Sequence, residues 1–475
     1  WWHAEGCNPL AVRHTPGTMH PSLLSLFILA QTPSGIPTVP EGGGALHLKL
    51  APGSSAAVLA QFHTSATPLF DLPEAELRQL RAEAERHSGQ AAPDLSAWLR
   101  LPIPDGEDAR AFQQRVCQQA HFDACEIASS ALPAALVTQA PRPICPIKTP
   151  PYDLLQAYLR PSPEGIDAVA AWSQPGGLGA GVWFADVEGD WNAAHEDLPG
   201  ARIQHVAGRR MGGGWREHGT AVLGEVASQV NGLGMTGIAP DVARIFTASL
   251  GGIGPARALL AAGSRLRPGD VLLIELHGPG PNSRPGGGQQ GFVPMEWWDA
   301  EYDVIKTLTL RGVIVVEAAG NGAENLDAPI YRRRFDRAFR NSGAIMVGAG
   351  GPPDAGYVDR ARLDFSNHGA RVDVQGWGRN VATLDYGDLQ GCSDQRTYTA
   401  YFSGTSSASP IVAGAVLSLQ GIHRQRTGRV LSGPEMLDLL VSTGSPQQDG
   451  PGAPRSKHIG PRPDLRAAIA RLPRE

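Results

Sequence analysis

Apolar and polar residues recur along this chain at two periods, and the change from one to the other outlines its organisation. After the glycines Gly42, Gly43 and Gly44, the segment ALHLKLAP reads as a short strand. LPEAELRQLRAEAERHSG carries apolar residues at helical spacing, and GEDARAFQQRVCQQA is a second helical stretch. These delimit a small α+β unit over residues 45–140, preceded by a leader at 1–44. The Pro-rich APRPICPIKTPPYD has the composition of a linker, placed at 141–160. From 161 to 475, short apolar runs alternate with helical patterns: GVWFA, HGTAVLGEVASQV, ARIFTAS, PARALLAAG, VLLIEL, MEWWDAEYDVIKTLTLRG, VIVVEAAG and AIMVGAG. That alternation predicts an α/β fold, a doubly wound parallel sheet with helices on both faces and its site at the carboxyl ends of the strands. PDLRAAIARL adds a C-terminal packing helix.

Length and charge narrow the function. At 475 residues the chain has room for one large and one smaller domain. A net charge of -5 with 18% charged residues lacks the basic footprint of a nucleic-acid binder. Gly 58 and Pro 40 indicate a loop-rich globular fold, short of low complexity. The five cysteines, Cys7, Cys117, Cys125, Cys145 and Cys392, contain no CxxC pair, so they suggest neither a zinc site nor a dense disulfide framework. The first methionine is Met19, followed by SLLSLFILA. This run is too short to span a bilayer and reads as a secretory signal ending at Ala30, although the usual preceding Lys or Arg is missing. The expected location is secreted, extracellular or periplasmic, with no membrane span.

Chemistry enters with GTSSASP, Gly404 to Pro410, which runs into the apolar helix IVAGAVLSL. Thr405 and Ser407 are capping types and Pro410 fits only an early helical turn, so Ser406 is expected at a helix N-terminus, where free N–H groups and the dipole favour developing negative charge. A serine cluster there is usually a cap and nothing more. Its company changes the reading. GTSSASP resembles the nucleophile motif of the subtilase family, Gly-Thr-Ser-x-Ala-x-Pro. His218-Gly219-Thr220 resembles the family's His-Gly-Thr, and GVWFADVEGDW is similar to the strand ending in its aspartate. TGIAPDVARIF, FSNHGARVDVQGWG and AIMVGAG extend the resemblance, which covers about 179 to 444. It implies a serine endopeptidase acting through an acyl-enzyme, with Ser406 as nucleophile, His218 as general base and acid, and Asp186 as orienting carboxylate. In VEAAGNGAEN, Asn321 corresponds to the oxyanion donor. The chain order Asp, His, Ser is that of subtilisins.

The resemblance carries further expectations. Leu276, His277, Gly278, Ala319 and Gly320 fall at the substrate-binding strands, with His277 read as a structural histidine in a pocket wall, and a peptide should add there as an extended strand. At the aspartate the family has Asp-Thr-Gly or Asp-Ser-Gly where this chain has Asp186-Val187-Glu188, and Glu188 is expected to face solvent. No cofactor is required; calcium is admitted as a structural ion near Asp190, Glu196 and Asp197. The partners implied are protein or peptide substrates and the chain's own N-terminal unit, as a propeptide that inhibits and assists folding or, in the alternative, as a permanent accessory domain. A non-catalytic binding protein on this scaffold and a peptide acyl transferase stay open, whereas His218 and Asn321 argue against the related sedolisins. The Gly-rich loop NSRPGGGQQGF is expected to gate the cleft.

Overall fold

A computed structural model describes residues 44–62, 64–118, 122–135, 145–354 and 356–474. The signal segment from Met19 to Ala30 and Cys7 lie outside the described residues. The N-terminal unit is an antiparallel sheet in the order β2-β3-β1-β4, built from β1 (Ala45–Leu50), β2 (Thr67–Pro68), β3 (Trp98–Pro102) and β4 (Phe122–Ile127). Helices α1 (Glu74–Ser88) and α2 (Ala109–Cys117) accompany it. Leu46, Leu48, Leu99 and Leu101 close one core with Phe112 and Val116 of α2. Leu77 and Leu80 of α1 and Trp98 of β3 join a second core shared with the larger domain. A disulfide links Cys117 to Cys125.

The next strand is β5 (Leu132–Pro133), followed after residue 145 by α3 (Ala168–Trp172) and β6 (Trp183–Glu188). Then come β7 (Ile203–Ala207), α4 (Gly214–Ala227), β8 (Arg244–Ser249), α5 (Pro255–Gly263), β9 (Val271–Ile274), β10 (Leu276–Pro279) and β11 (Phe292–Pro294). Further on lie α6 (Asp299–Leu310), β12 (Ile314–Ala318), β13 (Ile345–Gly350) and β14 (Val374–Trp377). The chain closes with β15 (Val381–Leu384), β16 (Gln390–Gly391), β17 (Thr397–Phe402), α7 (Thr405–Thr427), α8 (Gly433–Thr443) and α9 (Leu465–Arg471).

Seven strands form a parallel sheet in the order β14-β13-β12-β9-β6-β8-β7. Their near-continuous Val, Ile and Leu runs are buried because helices cover both faces. Helices α4 and α7 pack on one face; α5 and α6 pack on the other. The strand order reverses between β6 and β9, which opens a crevice at their carboxyl ends, where ligands bind in such sheets. The doubly wound architecture is therefore the one the sequence predicts.

Two local expectations change. The described part of 141–160 is not a loose linker. Tyr152 N–H donates to the Gly234 carbonyl at 2.6 Å, Tyr158 is fully buried, and Cys145 is disulfide-bonded to Cys392. Pro410 is the sixth residue of α7 rather than part of its first turn. The missing Pro410 N–H leaves an early helix carbonyl without its usual partner.

The N-terminal sheet sits on α6. Glu126 accepts the first backbone N–H groups of that helix, from Asp299 at 2.9 Å and Ala300 at 3.0 Å. Lys49 and the Trp98 indole both donate to Asp303, at 2.7 and 3.0 Å. An acceptor from one unit thus satisfies helix-end donors that the other unit leaves open.

Candidate active site

Ser406 is the second residue of α7, so its backbone N–H is one of the donors the helix cannot use internally. The helix begins after Gly404, whose φ of 116° suits glycine, and a Cβ there would lie 2.2 Å from the Ala134 carbonyl oxygen. His218 lies in the second turn of α4, with its ring edge-on to Phe402 at 5.4 Å. Ser406, His218 and Asn321 are all buried.

The carboxylate on His218 is Glu188. Its Oε1 lies 2.5 Å from His218 Nδ1, and both side chains are fully buried. Asp186, the residue the sequence reading put in this place, instead accepts the Trp191 indole N–H at 2.7 Å. The cause is strand geometry. β6 runs two residues beyond Asp186, through Glu188, and a period of two puts both acids on one face, so the acid nearer the strand's carboxyl end meets α4. Glu188 therefore does not face solvent. Gly189, the residue after Glu188, packs against Trp215, where a Cβ would lie 2.4 Å from the ring.

Asn321 is gripped at both ends of its amide. Its Oδ1 accepts from Thr405 N–H at 2.9 Å and Thr405 Oγ1 at 3.0 Å, while Nδ2 donates to Gln289 Oε1 at 3.0 Å. His277 Nδ1 accepts the Asn321 backbone N–H at 3.1 Å. Ala319 gives its carbonyl to Asn367 at 2.6 Å, and Gly320 N–H donates to Thr405 Oγ1 at 3.2 Å.

The cleft is filled by the chain's own segment 131–135, which the sequence reading did not single out. β5 adds antiparallel to β10, pairing Leu276 with Pro133 and His277 with Leu132, and β11 flanks β10 on its other side. Gly278, next in β10, lies against the Ser130 carbonyl and Trp298. Ala134 N–H donates to the Glu275 carbonyl at 3.2 Å, and the Ala134 carbonyl accepts Ser406 N–H at 3.1 Å. Ala135 bridges to Gly404 on the far side. Ser406 Oγ contacts the Glu275 carbonyl at 3.4 Å, and His218 Nε2 has no hydrogen-bond partner among the described residues. No local periodicity marks a five-residue segment for this place.

The expected calcium carboxylates are engaged elsewhere. Asp197 accepts from Asn231 at 3.0 Å and Met235 N–H at 2.7 Å; Asp190 takes Trp191 and Gly212 N–H groups; Glu196 takes the Tyr398 hydroxyl at 3.0 Å. Among the described residues no group of three His, Cys, Asp or Glu is gathered as a metal site. No described helix is long and apolar enough to cross a membrane.

The profile of the Subtilase family matches residues 201–458, more than half of the chain. The chain belongs to the subtilase family. It is a subtilase serine endopeptidase, and the matched region begins downstream of both Asp186 and Glu188. It is 26% identical over 309 residues to an intracellular serine protease of Paenibacillus polymyxa, covering 61% of this chain and 82% of that one. It is 30% identical over 205 residues to Subtilisin Savinase of Lederbergia lenta, covering 42% and 61%. An extracellular protease of Xanthomonas campestris is 29% identical over 250 residues, covering 50% of this chain and 36% of that one. In fold the subtilase resembles fervidolysin of Fervidobacterium pennivorans, described as a keratinolytic enzyme, with a TM-score of 0.56 at 18% identity, covering 91% and 61%.

Burial shifts several titratable groups of this subtilase. Burial pushes the carboxyls of Asp186, Glu188, Glu225 and Glu275 well above the usual range, assisted by neighbouring carboxylates at all but Glu188. It pushes His218 and His277 down to about 3 and His195 to about 4. A raised carboxyl stabilises the fold below its unfolded value, about 4, and that contribution is lost as pH rises through the folded value. A depressed imidazole contributes above 6.5 and the contribution is lost as pH falls toward 3 or 4. The two sets oppose each other between about 4.5 and 6.5. Because the raised carboxyls outnumber the depressed imidazoles, the uncleaved Ser406→Ala chain is expected to melt higher in that interval than at pH 9. Thermal melts from pH 4 to 9 check this, and a melting point rising steadily to pH 9 contradicts it.

Proposed function

We propose that this subtilase cleaves peptide bonds through an acyl-enzyme on Ser406 and that its first substrate is its own Ala134–Ala135 bond. The observation that carries the reading is the Ala134 carbonyl held on the Ser406 N–H, with the flanking residues paired to β10 as a substrate strand.

Glu188 Oε1 lies 2.5 Å from His218 Nδ1, so the carboxylate would accept the Nδ1–H hydrogen bond during the reaction and fix the tautomer in which Nε2 accepts the Ser406 hydroxyl proton. In the resting state Ser406 Oγ rests on the Glu275 carbonyl and must swing to Nε2, a contact that commonly tightens only as the reaction begins. Oγ then attacks the Ala134 carbonyl carbon. The oxyanion is met by Ser406 N–H, already 3.1 Å from that oxygen, and by the second N–H of the Asn321 amide. His218 gives the proton to the Ala135 nitrogen as the C–N bond breaks. Water, deprotonated by His218, then releases Ala134 as a carboxylate and regenerates Ser406.

Residues 45–134 then serve as a propeptide, held by the shared apolar core and the Glu126 cap of α6 after the bond is cut. Calcium, if bound, would be structural and outside these steps. Secretion is our reading of the compartment: the signal-like segment and two disulfides, Cys117–Cys125 and Cys145–Cys392, suit an oxidising environment. The Cys145–Cys392 bridge would also tie the new N-terminal segment to the catalytic domain.

Intact-mass analysis of wild type beside Ser406→Ala, with a fluorophosphonate probe and casein, tests the reading. Wild type should yield a fragment ending at Ala134 and one starting at Ala135, label, and digest casein. Ser406→Ala should do none of these. Cleavage at the same bond in Ser406→Ala would refute the proposal.

A further inference from the structure

We infer that Gln289, on the Gly-rich loop between β10 and β11, is a positioning residue that grips the substrate backbone on both sides of the cleaved bond and sets the oxyanion amide of Asn321. The inference rests on the function proposed above. Gln289 is only 7% exposed although its loop is otherwise largely solvent-facing. Its Nε2 donates to the Pro133 carbonyl at 3.2 Å and to the Ala135 carbonyl at 3.0 Å, the two carbonyls that flank Ala134. Its Oε1 accepts from Asn321 Nδ2 at 3.0 Å.

One amide thereby joins three groups. A primary amide nitrogen has two hydrogens, one for each carbonyl, and its oxygen remains for Asn321. With Asn321 Oδ1 taken by Thr405, the contact to Gln289 fixes the amide plane of Asn321 and leaves one N–H for the developing oxyanion. Gln289 is itself held. Its carbonyl accepts Phe292 N–H at 3.1 Å, Gly291 N–H reaches the Gly322 carbonyl at 3.0 Å, and Asn367 donates to the Phe292 carbonyl at 2.8 Å. The loop end is pinned beside Asn321, so the position is built into the cleft and does not depend on an exposed side chain settling there.

Because Gln289 contacts main-chain carbonyls, it distinguishes substrates by where they continue and not by side chain. A peptide extending past the cleaved bond offers both carbonyls; a peptidyl anilide ending at that bond keeps the carbonyl matching Pro133 and lacks the one matching Ala135. Gln289 thus favours internal peptide bonds over activated anilides.

The experiment compares processed wild type, Gln289→Ala and Gln289→Glu on a fluorogenic peptide containing Leu-Pro-Ala-Ala and on Leu-Pro-Ala p-nitroanilide. For Gln289→Ala, kcat/KM should fall about tenfold further on the peptide than on the anilide, the scale of one lost hydrogen bond. Gln289→Glu keeps the acceptor for Asn321 but brings a carboxylate toward two carbonyls and the oxyanion, so its kcat should fall further than that of Gln289→Ala. The fluorophosphonate labelling rate shows in each variant that Ser406 is assembled. Equal losses on both substrates, or none, in variants that label at the wild-type rate would overturn the inference while leaving the proposed function intact. A wild type that neither labels nor cleaves removes the function first and this inference with it.

Discussion

Glu188→Gln should lower turnover by about four orders of magnitude, whereas Asp186→Asn should stay within about tenfold of wild type. The substitution is nearly isosteric and removes the one property His218 needs from this side chain: a carboxylate that accepts Nδ1–H and stabilises the imidazolium formed when Ser406 gives up its proton. The glutamine amide can instead donate to Nδ1, which leaves the proton on Nε2 and the base unable to accept from Ser406. Asp186 has no contact with His218. Its change should weaken only the acceptor for the Trp191 indole and relieve some of the charge repulsion that Glu188 adds to its burial. The check is kcat on a peptide substrate, with processed enzyme prepared by supplying an active copy to cleave it. The opposite ranking would return Asp186 to the site.

Ser406→Ala should remove catalysis almost completely, by about six orders of magnitude in kcat, leaving only the stabilisation that the oxyanion donors and binding provide without a nucleophile. Ala134→Pro separates the two activities that Ser406 serves. Proline has no N–H to give to the Glu275 carbonyl and fixes the backbone at the residue to be attacked, so that carbonyl loses its main-chain donor and keeps only the longer Ser406 hydroxyl contact. Self-cleavage at residue 134 should slow by about tenfold, the scale of one lost hydrogen bond. Once processed in trans, the same variant should digest casein at the wild-type rate, because on the proposed function Ala134 departs with residues 45–134. Time courses of intact mass, paired with casein assays, measure both. A variant that self-cleaves normally at residue 134 would show that the Ala134 N–H contact to the Glu275 carbonyl does not position the bond for attack.

The sheet, its helices and the chemical types were legible from the residues alone. The buried strands are continuous apolar runs, and GTSSASP ahead of an apolar helix places Ser406 among free N–H donors wherever that helix packs. His218 and Asn321 were legible for a similar reason, each lying in a short segment whose local pattern sets its conformation.

Which acid serves His218 emerged only from the fold. Asp186 and Glu188 share one face of β6, and the choice between them depends on where α4 crosses the strand end, which strand periodicity does not encode. The fold also decided what fills the cleft. Contacts between Ala134 and Ser406, and between Gln289 and the segment around Ala134, join residues far apart in sequence through main-chain groups present in every residue type. Such contacts leave no composition or period to read, so they emerge only when the folded sheet brings β10, α7 and the Gly-rich loop around one extended segment.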